Sequence, residues 1–189
     1  MAHLTTNKYL NSSNIMVYLN DFSIYMASKY GYNVSIPILI VGGSAIALKG
    51  GYRDATVDID SYIKFNGNVS EAIDYVAKKN NIFPDWLNQD FAYSESYSRR
   101  LEDKAIFYKT LQGVVHIYLV CDIDQLCMKA TAFRKKDLPD IKYLVAQCIK
   151  QGLVFDDFLN NFYYLYGDSV RLKLDAKDYI RKIFRKLNK

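Results

Sequence analysis

The sequence predicts an α+β fold: a mixed β-sheet flanked by helices, followed by a helical C-terminal part. Three observations predict it. A stretch with helical spacing, Ser12 to Tyr30, leads into the apolar, β-branched run Val34–Val41. Residues 56–65 then alternate apolar and polar, as a half-buried strand does. From Asp122 onward the apolar residues recur at helical spacing to the end. Half of the 189 residues are apolar, which supports a real core and excludes a disordered chain. The layout divides residues 1–122, an α/β core, from residues 123–189, a helical part packed on that core.

Taken in order, the first helix has Ser12 or Ser13 as its cap, Ile15, Leu19, Phe22, Tyr25 and Met26 inward, and Gly31 as its stop. Val34–Val41 reads as a buried strand. Gly42-Gly43-Ser44 breaks it, and Ala45–Lys49 is a short helix before Gly50-Gly51. In the next strand Val57, Ile59, Tyr62 and Ile63 oppose Asp58, Asp60 and Lys64, with a phase slip near Ser61. Gly67-Asn68 turns into a helix capped by Ser70, with Glu71 and Asp74 in its first turn. The segment from Phe83 carries no single period. Within it, Ser94–Lys104 reads as a flexible loop facing the site, bearing Arg99, Arg100 and Lys104. Ala105–Lys109 and Val114–Cys121 are expected to pair as strands through Leu111–Gly113. Four helices follow, over residues 124–134, 138–150, 155–166 and 176–187.

Composition narrows the function classes. The longest apolar run, around Ile36–Val41, is far short of the ~20 residues that span a bilayer, so no membrane association is expected. The start shows no charged region followed by an apolar one and a cleavage site, which argues against secretion. Cys121, Cys127 and Cys148 fit a reducing cytoplasm, and Cys127 and Cys148 read as core residues. The net charge of +5 is unevenly placed: residues 171–189 hold eight cations against Asp175 and Asp178, whereas the first 170 residues hold 17 cations against 18 acids. Ile180, Ile183, Phe184 and Leu187 give the terminal helix an apolar stripe, so its charge faces outward, where it can meet nucleic-acid phosphates.

The chemistry is concentrated between Val41 and Asp60. Gly42, Gly43 and Ser44 join a strand end to a helix start. Such a turn presents backbone N–H groups at the positive end of a helix dipole, lets an anion come close, and here adds a hydroxyl. Asp58 and Asp60 flank one apolar residue, so both carboxylates share a strand face. Two adjacent carboxylates repel unless a cation neutralises them, and hard oxygen donors suit Mg²⁺ (or Mn²⁺) bridging to phosphates.

Strand, Gly-Gly-Ser, short helix, then Arg53 and Thr56 ahead of Asp58-Ile-Asp60 resembles the signature of the nucleotidyltransferase superfamily, the DNA polymerase β-like fold. Within it the chain resembles bacterial AbiEii-type abortive-infection toxins and their uncharacterised relatives, through Arg53-x-x-Thr56-x-Asp58, Pro84–Asn88 and the run from Lys129 through Arg134 to Asp137 and Asp140. The resemblance implies a nucleotidyltransferase-like sheet and an enzyme that uses an NTP. Gly43 and Ser44 would hold its β- and γ-phosphates, with Gly42 beside them. Asp58 and Asp60 would bind the metal, Arg53 would lie near the triphosphate, and Lys129 would reach a phosphate as a point charge. Asp137 and Asp140 would orient Lys129 and Arg134 or prepare the acceptor. The acceptor hydroxyl would belong to a tRNA 3′ end, met through the basic C-terminal helix, or to a protein; for a toxin, an antitoxin protein would be the partner.

One departure stands out. The family usually carries a third carboxylate on a later strand, and Val114–Cys121 has none. Tyr118 is expected in its place, with His116 on the same face as a candidate base and Asp122 and Asp124 just beyond the strand. Two other readings therefore accompany the enzyme: a catalytically weakened nucleotide-binding or interaction module, and a small-molecule (antibiotic) nucleotidyltransferase.

Overall fold

The computed structural model describes residues 9–53 and 55–188. The chain divides into two compact units: the described residues of Met1–Asp90 with Ile106–Leu119, and those of Phe91–Ala105 with Val120–Lys189.

The first unit is a five-stranded mixed sheet with three helices. Helix α1 (Ser12–Tyr30) is capped by Asn11, one residue before the expected serines. The Asn11 side chain accepts from the Ser13 and Asn14 N–H groups, and Asn14 returns a bond to the Asn11 N–H. Gly31, at φ +83, stops the helix as expected, donating its N–H to the Ala27 carbonyl. Strand β1 (Ile36–Ile40) follows, then α2 (Gly42–Leu48), which begins at the glycines themselves. Strand β2 (Ile59–Ile63) has no phase slip: Ile59, Ser61 and Ile63 are buried, and Asp60 and Tyr62 alternate with them. Ser61 fits the buried face because its hydroxyl donates to the Asn88 carbonyl at 2.9 Å. In α3 (Ser70–Asn80) Ser70 is the first helical residue, and Asn68 Oδ1 accepts its N–H.

Strands β3 (Leu87–Asn88), β4 (Ile106–Leu111) and β5 (Val115–Leu119) complete a sheet of order β3-β2-β1-β5-β4. β1 runs antiparallel to β2 and parallel to β5, and β2 runs parallel to β3. β4 and β5 form the expected hairpin, turning on Gln112 (φ +49) and Gly113 (φ +70). Ile36, Ile38, Ile40, Ile59, Val115, Ile117 and Leu119 bury one face of the sheet. Trp86, fully buried, locks β3: its indole donates to the Ile73 carbonyl of α3, its ring meets Tyr18 of α1 edge-on, and its carbonyl accepts from Ile59.

The second unit is helical: α4 (Asp122–Ala132), α5 (Leu138–Lys150), α6 (Phe155–Tyr166) and α7 (Leu174–Leu187). α5 and α6 have the predicted bounds; α4 and α7 begin two residues early. Cys127 and Cys148 are core residues, as expected. α7 buries Ala176, Ile180 and Phe184 and turns Lys182, Arg185 and Lys186 to solvent. The stretch read as a flexible loop, Ser94–Lys104, instead holds a 3-10 turn (Arg99–Glu102) bound to α6. Ser98 donates to the Leu165 carbonyl, Lys104 to Asn161 Oδ1, and Tyr164 to Asp103. Lys104 and Arg100, which donates to the Tyr164 carbonyl, are therefore engaged with helix α6. Among the described residues no helix is long and apolar enough to cross a membrane.

Candidate active site

The β1–β2 register builds the site. Leu39 pairs with Tyr62 and Ile40 with Ser61, and the ladder continues one step further where the Val41 N–H meets the Asp60 carbonyl at 3.0 Å. The glycine turn that follows Val41 must therefore land beside the two carboxylates. A slip of one residue would turn Asp58 and Asp60 into the core.

Contact there is close. Gly42 is left-handed, at φ +68, and a Cβ on it would lie 2.8 Å from Asp60 Oδ2. A Cβ on Gly43 would lie 3.0 Å from Arg53 Nη1 and 3.2 Å from Thr56 Oγ1. The two glycines thus form a cradle, with a carboxylate on one side and a guanidinium on the other. Ser44 is buried, and its hydroxyl makes long bonds of 3.4 Å to the Val41 and Asp58 carbonyls, tying the turn to the start of β2. Thr56 Oγ1 also reaches the Asp58 carbonyl, at 3.2 Å, and the Thr56 main chain pairs with Leu10 in both directions at 2.7 Å. The loop carrying Arg53 and Thr56 is pinned in this way. Gly42, Gly43, Ser44, Arg53, Asp58 and Asp60, expected to act together, are together in the first unit.

The expectation for the third carboxylate needs correction. Tyr118 lies on β5, on the far side of β1 from β2, and its register partner is Leu39, which in turn pairs with Tyr62 rather than with an aspartate. Tyr118 and His116 do share the carboxylate face, and His116 Nδ1 lies 3.0 Å from Thr110 Oγ1. The strand that flanks β2 on its other side is β3, and there Asn88 is the register partner of Asp60. Asn88 Nδ2 donates to Asp58 Oδ2 at 3.2 Å. Among the described residues, no third acid, His or Cys joins the pair. Asp122 and Asp124 lie in the first turn of α4; Asp122 accepts from Gln151, and Asp124 is buried against Asn161. Sequence periodicity could not reveal Asn88, because a two-residue strand shows no alternation.

A second cluster forms in the helical unit. Lys129 Nζ lies 2.9 Å from both Asp137 Oδ1 and Asp140 Oδ2, and Arg134 Nε donates to Asp137 Oδ2 at 2.7 Å. Asp137 and Asp140 are fully buried and Lys129 nearly so, which fixes the ammonium on a two-carboxylate seat. Burial pulls the Asp137 carboxyl up, but the bonds from Arg134 and Lys129 outweigh it and hold its pKa below the ordinary value. Lys129, Arg134, Asp137 and Asp140 are thus assembled as one ion-pair group.

The profile of a family described as nucleotidyltransferases of unknown function (DUF6036) matches residues 17–164. The chain belongs to that family. The match takes in the glycine turn, both aspartates, Asn88 and the Lys129 cluster of this nucleotidyltransferase-family protein. No curated protein and no solved structure matches the chain. The donors that fit a divalent metal are the two hard carboxylates, Asp58 and Asp60, with the glycine cradle against Asp60; Asn88 turns its amide N–H, not its oxygen, toward Asp58.

Proposed function

We propose that the protein moves a nucleoside monophosphate from an NTP to an acceptor hydroxyl, with pyrophosphate as the leaving group. The observation that carries this reading is the glycine cradle held against Asp58 and Asp60 by the β1–β2 register. Gly42 and Gly43 keep side chains off the floor of the turn, so phosphate oxygens can approach the main chain. Arg53, over Gly43, offers the triphosphate a planar, multidentate cation. Asp58 and Asp60 would hold Mg²⁺ or Mn²⁺, which when bound supplies neutralisation of phosphate charge during in-line attack on the α-phosphorus. In the helical unit, by itself, Asp137 and Asp140 hold the Lys129 ammonium in place, and Arg134 pairs with Asp137 from its other side.

The acceptor we favour is RNA, the 3′ end of a tRNA being the instance that the abortive-infection resemblance suggests; a toxin of that kind would have an antitoxin partner and work in the cytoplasm. The solvent-facing cations of α7 and the three free cysteines support this setting. Incubation with each α-labelled NTP, Mg²⁺ and total cellular RNA or protein tests the reading. Wild type should label an acceptor, and Asp58→Ala should lower transfer by at least about 100-fold. Absence of transfer with every NTP, or equal transfer by the variant, would overturn it. The second reading, a nucleotide-binding module, is favoured by the amide at Asn88. It expects metal-dependent NTP binding without labelled product in the same assay.

A further inference from the structure

We infer that Asn88 makes metal loading at Asp58 and Asp60 depend on the nucleotide. The inference rests on the nucleotide-site reading above and names a control within that site. Asn88 sits in register with Asp60 on the adjacent parallel strand, so the two side chains leave the sheet on one face. Its amide is held in one orientation: Oδ1 accepts from the Asp90 N–H at 3.1 Å, and Nδ2 donates to Asp58 Oδ2 at 3.2 Å. The opposite flip would set an oxygen against a carboxylate and a donor against a donor. Its main chain is held as well, by the Ser61 hydroxyl on its carbonyl and by the buried Trp86 two residues before it.

Two consequences follow for a cation. An acid at residue 88 would put three carboxylates on one face, enough charge to draw a divalent ion unaided. The amide leaves two, and it engages one oxygen of Asp58. Mg²⁺ demands six oxygens in near-octahedral array and gives up water reluctantly, so such a sparse set binds it poorly without phosphate oxygens. Asn88 is thus a positioning residue: it aims Asp58, and it keeps the ion from settling before the nucleotide arrives.

Mn²⁺ serves as the probe, followed by electron paramagnetic resonance and calorimetry, with and without the non-transferable α,β-methylene analogues of all four NTPs. Wild type should bind Mn²⁺ at least about tenfold more tightly with its preferred analogue than alone. Asn88→Asp should bind Mn²⁺ without nucleotide at least about tenfold more tightly than wild type, shrinking the nucleotide dependence. Equal Mn²⁺ affinity of wild type with and without analogue overturns the inference and leaves the nucleotide site standing. That wild-type comparison decides the matter even if the variant fails to fold. Unchanged nucleotide-free binding in a folded Asn88→Asp also overturns it. If wild type binds no analogue with Mn²⁺ present, the nucleotide-site reading falls and this inference falls with it.

Discussion

Gly42 and Gly43 are adjacent, yet the structure asks different things of them. Gly42 needs both a left-handed backbone and an empty Cβ position, because Asp60 Oδ2 occupies the space beside it. Gly42→Ala therefore adds left-handed strain of about 1–2 kcal/mol and pushes the carboxylate aside. For a chain of this length that corresponds to a fall in Tm of roughly 3–6 °C. Nucleotide binding should be lost with it. Gly43 has no left-handed φ, and the atoms its Cβ would meet belong to the ends of Arg53 and Thr56. Gly43→Ala should melt close to wild type and bind nucleotide roughly tenfold more weakly, since the guanidinium must move. Thermal melts and calorimetric titration with a nucleotide analogue separate the two outcomes. Unchanged nucleotide affinity in Gly43→Ala would detach Arg53 from the triphosphate.

At the scale of elements, the α4–α5 ion cluster governs behaviour in acid. The Asp137 carboxyl is held below its ordinary value of 3.8, so it adds stability above that pH and loses it as pH falls through the lowered folded value. Asp124 on α4 acts in the opposite sense: burial raises its carboxyl, so stability declines as pH climbs from 3.8 through the folded value. Asp137→Asn should lose about 3 kcal/mol at pH 7, because Lys129 and Arg134 lose a buried partner. Urea unfolding from pH 7 to pH 2 should show that loss shrinking below pH 4, where wild type itself protonates; a constant difference would assign the loss to packing. Much of this was legible in the sequence. Helices α5 and α6 could be bounded to the residue, because Pro139, Gly152 and Gly167 punctuate a strong helical period. The pairing of the glycine turn with Asp58 and Asp60 was legible because strand alternation fixes which face a residue takes. What escaped depended on long-range partners. Ser61 looked like a phase slip until the Asn88 carbonyl satisfied it, and Asn88 is positioned by a tryptophan anchored to two helices rather than by its neighbours in the chain.

For the whole molecule the decisive quantity is where the charge lies. The first 170 residues are almost neutral, and their acids include the pair proposed to need a metal; the cationic surplus belongs to residues 171–189. Part of that surplus serves packing. Arg181 pairs with Asp178 at 3.3 Å and stacks over Phe155 at 5.0 Å, so its loss would disturb the α6–α7 seam as well as the charge. Lys182, Arg185 and Lys186 are exposed. If they hold an RNA acceptor, the triple change of these three residues to Gln should leave nucleotide-analogue binding and Tm unchanged. RNA binding should weaken, and the slope of log affinity against log salt should fall by about 0.7–0.9 for each phosphate contact removed. Titrations of labelled RNA at several salt concentrations, beside analogue calorimetry on the same preparations, read both quantities. An unaltered salt slope would clear α7 of any part in acceptor binding. Loss of analogue binding with the fold intact would instead place these cations in the nucleotide site, and the division between a neutral catalytic body and a basic acceptor surface would have to be abandoned.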